Sequence, residues 1–232
     1  PESPSSWANL ATKGLNPTPW TTPVTKMTNS FIIDKPPIKR HFRASAVILQ
    51  YVGGEIVPVL ERGLIHVYTG DGKGKTTCAL GAALRMAGHG GKVAIVQFLK
   101  GWSFYGEIAG LSYLPNVRLE KTGRAEFVDK RAPLLDDFAE AERGLTLAEG
   151  FLVSGSFDMV ILDEINVAID YGLTPARSVI GALRRRQPWV EAILTGRNAP
   201  GELIALADVV TEMREIKHPF KKGLASRMGV DF

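Results

Sequence analysis

Nine consecutive residues, Thr69-Gly70-Asp71-Gly72-Lys73-Gly74-Lys75-Thr76-Thr77, combine the parts needed to hold a chain of phosphates. The glycines let successive backbone N–H groups turn inward onto phosphate oxygens. Lys75 is placed to reach along the phosphate chain and Thr76 to offer its hydroxyl to Mg²⁺. An apolar run, Leu64–Tyr68, precedes the loop, and a run of small and apolar residues, Thr76–Gly88, follows it. Strand, loop and helix in that order are the setting such a loop requires, and the helix N-terminus adds its partial positive charge. The common form of the motif has a glycine five residues before Gly74. Thr69 stands there and the glycine comes one later, so the loop is a variant. A glycine-rich turn with incidental lysines is the alternative, and it leaves the flanking strand and helix unexplained. Lys73 either adds charge to the site or points to solvent.

A second group of residues suits the same chemistry. Asp158-Met159-Val160-Ile161-Leu162 reads as a buried strand, and it ends in Asp163-Glu164. An apolar strand ending in acids delivers carboxylates to the strand end where Mg²⁺ would be held, directly or through water. Arg197 follows another apolar run, Val190–Thr195, and its planar fork suits phosphate. An ordinary salt bridge is its alternative. These parts are shared by hydrolases, kinases and other group transferases, so on their own they leave the reaction open.

Strands and helices alternate from Gly63 onward. Lys92–Leu99 and Asp158–Leu162 are continuous apolar runs of the kind buried on both faces of a parallel sheet. Val117–Leu119 reads as a further short strand. Pro133–Val153 has helical spacing, and Pro175–Arg186 reads as a helix with Pro in its first turn and Thr174 placed to cap it. Gly201–Ala207 is a short helix. Residues 46–60 read as two short strands around Gly53-Gly54 or as a lead-in segment. The alternation predicts an α/β domain of the P-loop NTPase type (RecA-like), with a mainly parallel sheet and helices on both faces, over residues 46–232.

Residues 1–45 differ. They hold seven of the fourteen prolines, and six of the 28 basic residues against two of the 24 acidic ones. That is the whole net charge of +4, and the remainder is balanced. The segment reads as a disordered or loosely attached basic arm. Organelle targeting is an alternative to a dispensable extension, with the cytoplasm as the expected location. A neutral main domain argues against nucleic acid as a partner. No apolar run is long enough to span a membrane. The single cysteine, Cys78, excludes an intrachain disulfide and the cysteine-rich zinc frameworks, and it reads as a small buried residue. His66 and His89 read as structural residues. His218 lacks metal-like spacing to another histidine. Arg184-Arg185-Arg186 reads as a solvated helix end.

The chain resembles the P-loop family of cob(I)alamin (corrinoid) adenosyltransferases of cobalamin biosynthesis and salvage. The resemblance rests on Arg62-Gly63, the loop Thr69–Thr77, Val96-Gln97-Phe98-Leu99-Lys100-Gly101 and Leu162-Asp163-Glu164-Ile165-Asn166. It continues through Leu194-Thr195-Gly196-Arg197, Ala207-Asp208, Lys217-His218-Pro219-Phe220 and Met228-Gly229-Val230-Asp231-Phe232. It covers roughly residues 61–232. It implies transfer of the 5′-deoxyadenosyl group of ATP to the Co(I) of a corrinoid, with triphosphate released. It implies a reducing flavoprotein as partner, a homodimer, and ATP bound with its phosphates reversed relative to other P-loop enzymes. It implies a nucleotide- or corrinoid-side role for Arg62 and Arg197, Mg²⁺ on Thr76 and Glu164, and Asp163 in the shell behind them. Relatives carry a Phe-Thr-Trp segment against the corrinoid. Here the corresponding stretch is Thr122-Gly123-Arg124-Ala125-Glu126-Phe127-Val128, so Phe127 is the aromatic residue left to face it. Trp102, Phe104 and Tyr105 line the corrinoid face or simply pack. A repurposed P-loop ATPase or kinase, and a non-catalytic corrinoid or nucleotide sensor, are the competing readings.

Overall fold

The computed structural model describes residues 51–52, 55–56, 58–102 and 105–231. The arm expected over residues 1–45, and Gly53, Gly54 and Phe104, lie outside them. A two-residue antiparallel hairpin, β1 (Tyr51–Val52) and β2 (Glu55–Ile56), opens the described chain. The main sheet follows with β3 (Ile65–Thr69), β4 (Val93–Gln97), β5 (Val117–Lys121), β6 (Met159–Asp163), β7 (Glu191–Thr195) and β8 (Val209–Glu212). Its order is β5-β4-β6-β7-β3-β8, and every pairing is parallel.

The helices are α1 (Lys75–Gly88), α2 (Gly106–Ser112), α3 (Leu135–Val153), α4 (Ile165–Asp170), α5 (Ala176–Arg184) and α6 (Gly201–Leu206). Alternation along the strands divides the core in two. Tyr68, Val93, Ile95, Ile161 and Ile193 pack with Ala79, Ala83 and Met86 of α1 and Leu111 of α2. Val67, Val96, Leu162 and Leu194 pack on the other face with residues of α3 to α6. Both faces are covered, which is why β4 and β6 are buried at every position.

The predicted strands and the longer helices form within a few residues of their expected bounds. Three elements carry no strong sequence signal. The six-residue α4 follows the acidic pair directly, α2 contains two glycines, and β8 is an edge strand exposed at Val210. Two expectations are corrected. Thr174 is buried and does not cap α5; Pro175 occupies the N-cap, with no side-chain bond. Cys78 is exposed, because α1 turns Lys75, Ala79, Ala83 and Met86 inward and leaves position 78 at the edge of that stripe. The arginines after α5 are also more engaged than a solvated end: Arg185 bonds Glu149, and Arg186 donates to the carbonyls of Gly63 and Val190.

Candidate active site

Parallel strands bring their carboxyl ends to one edge, and the loops leaving β3, β4, β6 and β7 meet there. Thr69 stays in β3 and its carbonyl accepts the N–H of Met213, so the turn begins one residue later than in the common motif. Gly70 makes that turn at φ +90°, and a Cβ there would stand 2.5 Å from the Met213 carbonyl oxygen. The Gly72 N–H donates to the same oxygen at 2.6 Å. The loop is therefore braced from outside by the segment that follows β8, and the shifted glycine answers a close backbone approach.

Lys75 opens α1 and is buried. Its Nζ donates to the carbonyls of Gly70 (2.6 Å) and Gly72 (2.7 Å), and burial lowers its pKa below that of an ordinary lysine. Thr76 donates its hydroxyl hydrogen to Asp163 Oδ1 at 2.8 Å. Strand β7 lies between β3 and β6, so this contact spans an intervening strand, and Thr195 fills the gap. The Thr195 hydroxyl donates to the same oxygen at 2.7 Å and accepts the Glu164 N–H at 2.9 Å. The other oxygen of Asp163 accepts from Lys100 Nζ (2.7 Å) and Gln97 Nε2 (3.3 Å).

Glu164 follows in the left-handed region, at φ 64°. Such strain in a non-glycine residue persists where surrounding structure enforces it, and it gathers at functional sites. Here it swings the carboxylate out of line with Asp163 and into the cleft. Burial and the neighbouring Asp163 charge raise its pKa. With the Thr76 hydrogen committed to Asp163, the Thr76 oxygen presents lone pairs, and Glu164 lines the same cleft. Oxygen donors of this kind suit Mg²⁺.

These groups open onto a cleft of about 1190 Å³. Residues 71–77 line it, as do Glu164 and Arg197. Arg197 leans on Asp71, with Nη2 3.4 Å from its carbonyl oxygen and Nε 3.8 Å from its carboxylate. Away from the loop, Tyr105, Phe127, Val128 and Tyr171 join the lining beside Glu107, Lys130 and Asp170. Phe127 is 83% exposed at the mouth, and its ring lies 5.9 Å from that of Trp102.

The structure thus brings Gly70, Asp71, Gly72, Lys73, Gly74, Lys75, Thr76, Thr77, Asp163, Glu164, Arg197 and Phe127 to one edge of the sheet. Arg62 is not among them. It is exposed and precedes the start of β3, whereas the phosphate loop follows the end of that strand.

Sequence reasoning left several residues at this edge without a role. Lys100 and Glu107 arrive from the turn after β4. The C-terminal segment also forms part of the wall, with His218, Leu224, Gly229 and Asp231. Lys73 is paired with Asp231 rather than free in solvent. The Arg227 N–H donates to Asp231 at 2.9 Å, and Lys73 and Arg227 together hold this carboxyl well below the usual carboxylate range. No spacing rule joins residues 158 apart, so this contact had no local signal.

Known proteins are similar to this chain in sequence. The family model for the ATP:corrinoid adenosyltransferases BtuR/CobO/CobP matches residues 61–232. Corrinoid adenosyltransferase of Escherichia coli (strain K12) is 38% identical over 173 residues, covering 74% of this chain and 87% of that protein. Corrinoid adenosyltransferase of Pseudomonas aeruginosa is 36% identical over 172 residues, 74% of this chain and 85% of its own length. Corrinoid adenosyltransferase CobA of Salmonella typhimurium is 38% identical over 174 residues, again 74% of this chain and 87% of the relative. Taken with the variant phosphate loop and the tail that closes on it, these matches mean that the chain belongs to the ATP:corrinoid adenosyltransferase family.

Proposed function

We propose that this chain alkylates the cobalt of a reduced corrinoid with the 5′-deoxyadenosyl group of ATP, in the cleft above the carboxyl ends of β3, β6 and β7. The Co(I) electron pair forms the bond to C5′, the C5′–O bond breaks, and its electrons leave with triphosphate. Cobalt ends as an alkylated Co(III) centre, so the two electrons come from Co(I) and no protein nucleophile is consumed.

The chain's task is to align the reactants and to stabilise charge on the leaving group. The loop amides and Lys75 face the triphosphate. Lys75 is held on two carbonyls until a phosphate oxygen replaces them, so its ammonium is already aimed at the loop. Thr76 and Glu164 are the residues that would hold Mg²⁺, with Asp163 orienting the Thr76 hydroxyl. Magnesium bound there would neutralise part of the charge that builds on the departing triphosphate. Arg197 adds a cation at the rim.

The observation that carries this reading is the division of a single large cleft. One side is a phosphate loop with carboxylates, and the other sets the rings of Tyr105, Phe127 and Tyr171 among charged residues. A volume of about 1190 Å³ exceeds the ~300–1000 Å³ typical of a pocket for one small molecule. It suits a nucleotide and part of a large, flat macrocycle together. Phe127, backed by Trp102, gives the macrocycle an aromatic surface where relatives have a different segment. A reducing flavoprotein would supply Co(I), and a homodimer is the assembly the family resemblance implies.

The test is anaerobic. The protein is mixed with ATP, Mg²⁺ and chemically reduced cobalamin, the visible spectrum is followed, and triphosphate is assayed. The expected result is a light-sensitive alkylcobalt species with stoichiometric triphosphate. ADP or phosphate without cobalt alkylation would identify a repurposed P-loop ATPase or kinase. Binding of both ligands without either product would identify a sensor.

A further inference from the structure

Lys100 is a buried cation for which the reaction gives no immediate use. Its side chain is 13% exposed, and its Nζ lies 2.7 Å from Asp163, whose side chain is fully buried. Glu164 and Glu107 also act on its charge, and its ammonium sits 5.5 Å from the centre of the Tyr105 ring. Burial alone would push the Lys100 ammonium toward the neutral form, and the Asp163 carboxylate more than reverses this. The Asp163 carboxylate is therefore the direct partner of this lysine, with the Glu164 and Glu107 charges acting on it as well.

The backbone is built to put it there. Leu99 adopts φ 59°, a strained turn for a branched side chain. The Lys100 N–H donates to the Thr122 carbonyl at 3.0 Å. At Gly123 a Cβ would stand 2.8 Å from the Lys100 nitrogen, so the loop after β5 crosses the loop after β4 too closely for any other residue.

The consequence lies in the four acceptor positions of Asp163. Its Oδ1 takes the hydroxyls of Thr76 and Thr195, and its Oδ2 takes Lys100 and Gln97. A carboxylate offers about four lone-pair directions, and all are used. We propose that Lys100 is a built-in cation that occupies the second of two cation positions the Asp163–Glu164 pair would otherwise offer. It saturates Asp163, confines a divalent ion to Glu164 and Thr76, and keeps the Thr76 hydrogen directed away from the cleft. Lys100 is a positioning residue that acts through Asp163. The inference rests on the reading of Glu164 and Thr76 as the metal-holding pair.

Mn²⁺ is the probe, with free and bound ion separated by EPR on the full chain, with and without ATP. Lys100→Met exposes an unpaired carboxylate beside Glu164, so nucleotide-free Mn²⁺ binding should tighten at least tenfold over the unaltered protein. Lys100→Arg should restore the original weak binding. The double variant Lys100→Met/Asp163→Asn removes both charges and keeps an acceptor for Thr76, so it tests the idea even if the single variant does not fold. It should bind Mn²⁺ without nucleotide no better than the unaltered protein, and keep Mn²⁺–ATP binding within tenfold.

Three results would overturn the proposal. One is unchanged Mn²⁺ binding in folded Lys100→Met. Another is a tenfold loss of ATP affinity in that variant with no gain of Mn²⁺, which would make Lys100 a phosphate ligand. The third is loss of Mn²⁺–ATP binding in the double variant, which would make Asp163 itself a metal ligand. Failure of the underlying metal reading looks different. Glu164→Gln would then bind Mn²⁺–ATP normally while Lys100→Met still gained its site.

Discussion

Two acidic residues, adjacent in sequence, end in different roles because of one backbone turn. Asp163 completes β6 and is fully enclosed by donors, whereas Glu164 turns through φ 64° and faces the cleft. The same logic separates the two lysines of the loop. Lys75 is buried and tethered to loop carbonyls, and Lys73 is half-exposed and paired with Asp231. Lys75→Ala is expected to leave the protein folded and to lower kcat by about 10²-fold or more, the usual cost of one preorganised charge on a leaving group. Single-turnover rates would check it, and near-normal turnover would remove Lys75 from that role. Glu164→Gln is expected to raise the Mg²⁺ concentration needed for half-maximal rate at least tenfold. An unchanged Mg²⁺ dependence would move the metal elsewhere.

Helix α3 shows how an element is fastened beside the site. Its first turn contains Asp137, whose Oδ2 accepts the Leu134 N–H at 2.8 Å and whose Oδ1 takes Arg124 Nε at 2.8 Å. Arg124 belongs to the loop that carries Phe127, so the helix start and the aromatic rim share one carboxylate. Burial by itself would raise the Asp137 pKa, but the Arg124 and Leu134 hydrogen bonds hold it below the ordinary aspartate value. A depressed folded-state pKa stabilises above the unfolded value, near 4, and that stability is lost as pH falls through the lower folded value. Asp137→Asn should therefore lower stability by about 1–3 kcal/mol at neutral pH. The difference from the unaltered protein should shrink on the acid side. Thermal unfolding between pH 7 and pH 3 would check both, and a constant difference across that range would mean that the charge is irrelevant. The apolar spacing of residues 133–153 was enough to find this helix. Asp137 stands three residues past the N-cap Leu134 and accepts the Leu134 N–H. Its link to Arg124 was not legible, because it depends on where the loop after β5 lands.

At the scale of the molecule, the C-terminal segment and the phosphate loop form one unit. Met213 braces the loop from beneath, and Asp231 reaches Lys73 from the far end of the chain. Asp231→Asn removes the charge that holds this tail. Hydrogen exchange in residues 224–231 should then speed up markedly, while thermal stability, set by the two cores, changes little. Unaltered exchange would mean that apolar contacts alone seat the tail. The tail motif Met228–Phe232 was visible in the sequence as part of a family pattern, yet its place against Lys73 was not. Arg62 shows the converse. It too belongs to that pattern, but the direction of β3 places it at the opposite edge from the loop.

What the sequence determined by itself is whatever local chemistry dictates. Continuous apolar runs made the buried strands and small residues after the glycines made α1, the setting in which Gly-Lys-Thr reads as a phosphate site. The acids at the end of β6 followed from the same rule. Tertiary structure decided everything that depends on strand order and loop crossing. Inserting β7 between β3 and β6 made Thr195 the bridge between the loop and the acids. The close passage at Gly123 drove Lys100 onto Asp163. The return of the tail closed the cleft. These contacts join residues tens to more than a hundred positions apart, and their energies depend on burial. Neither property is present in the chain until it has folded.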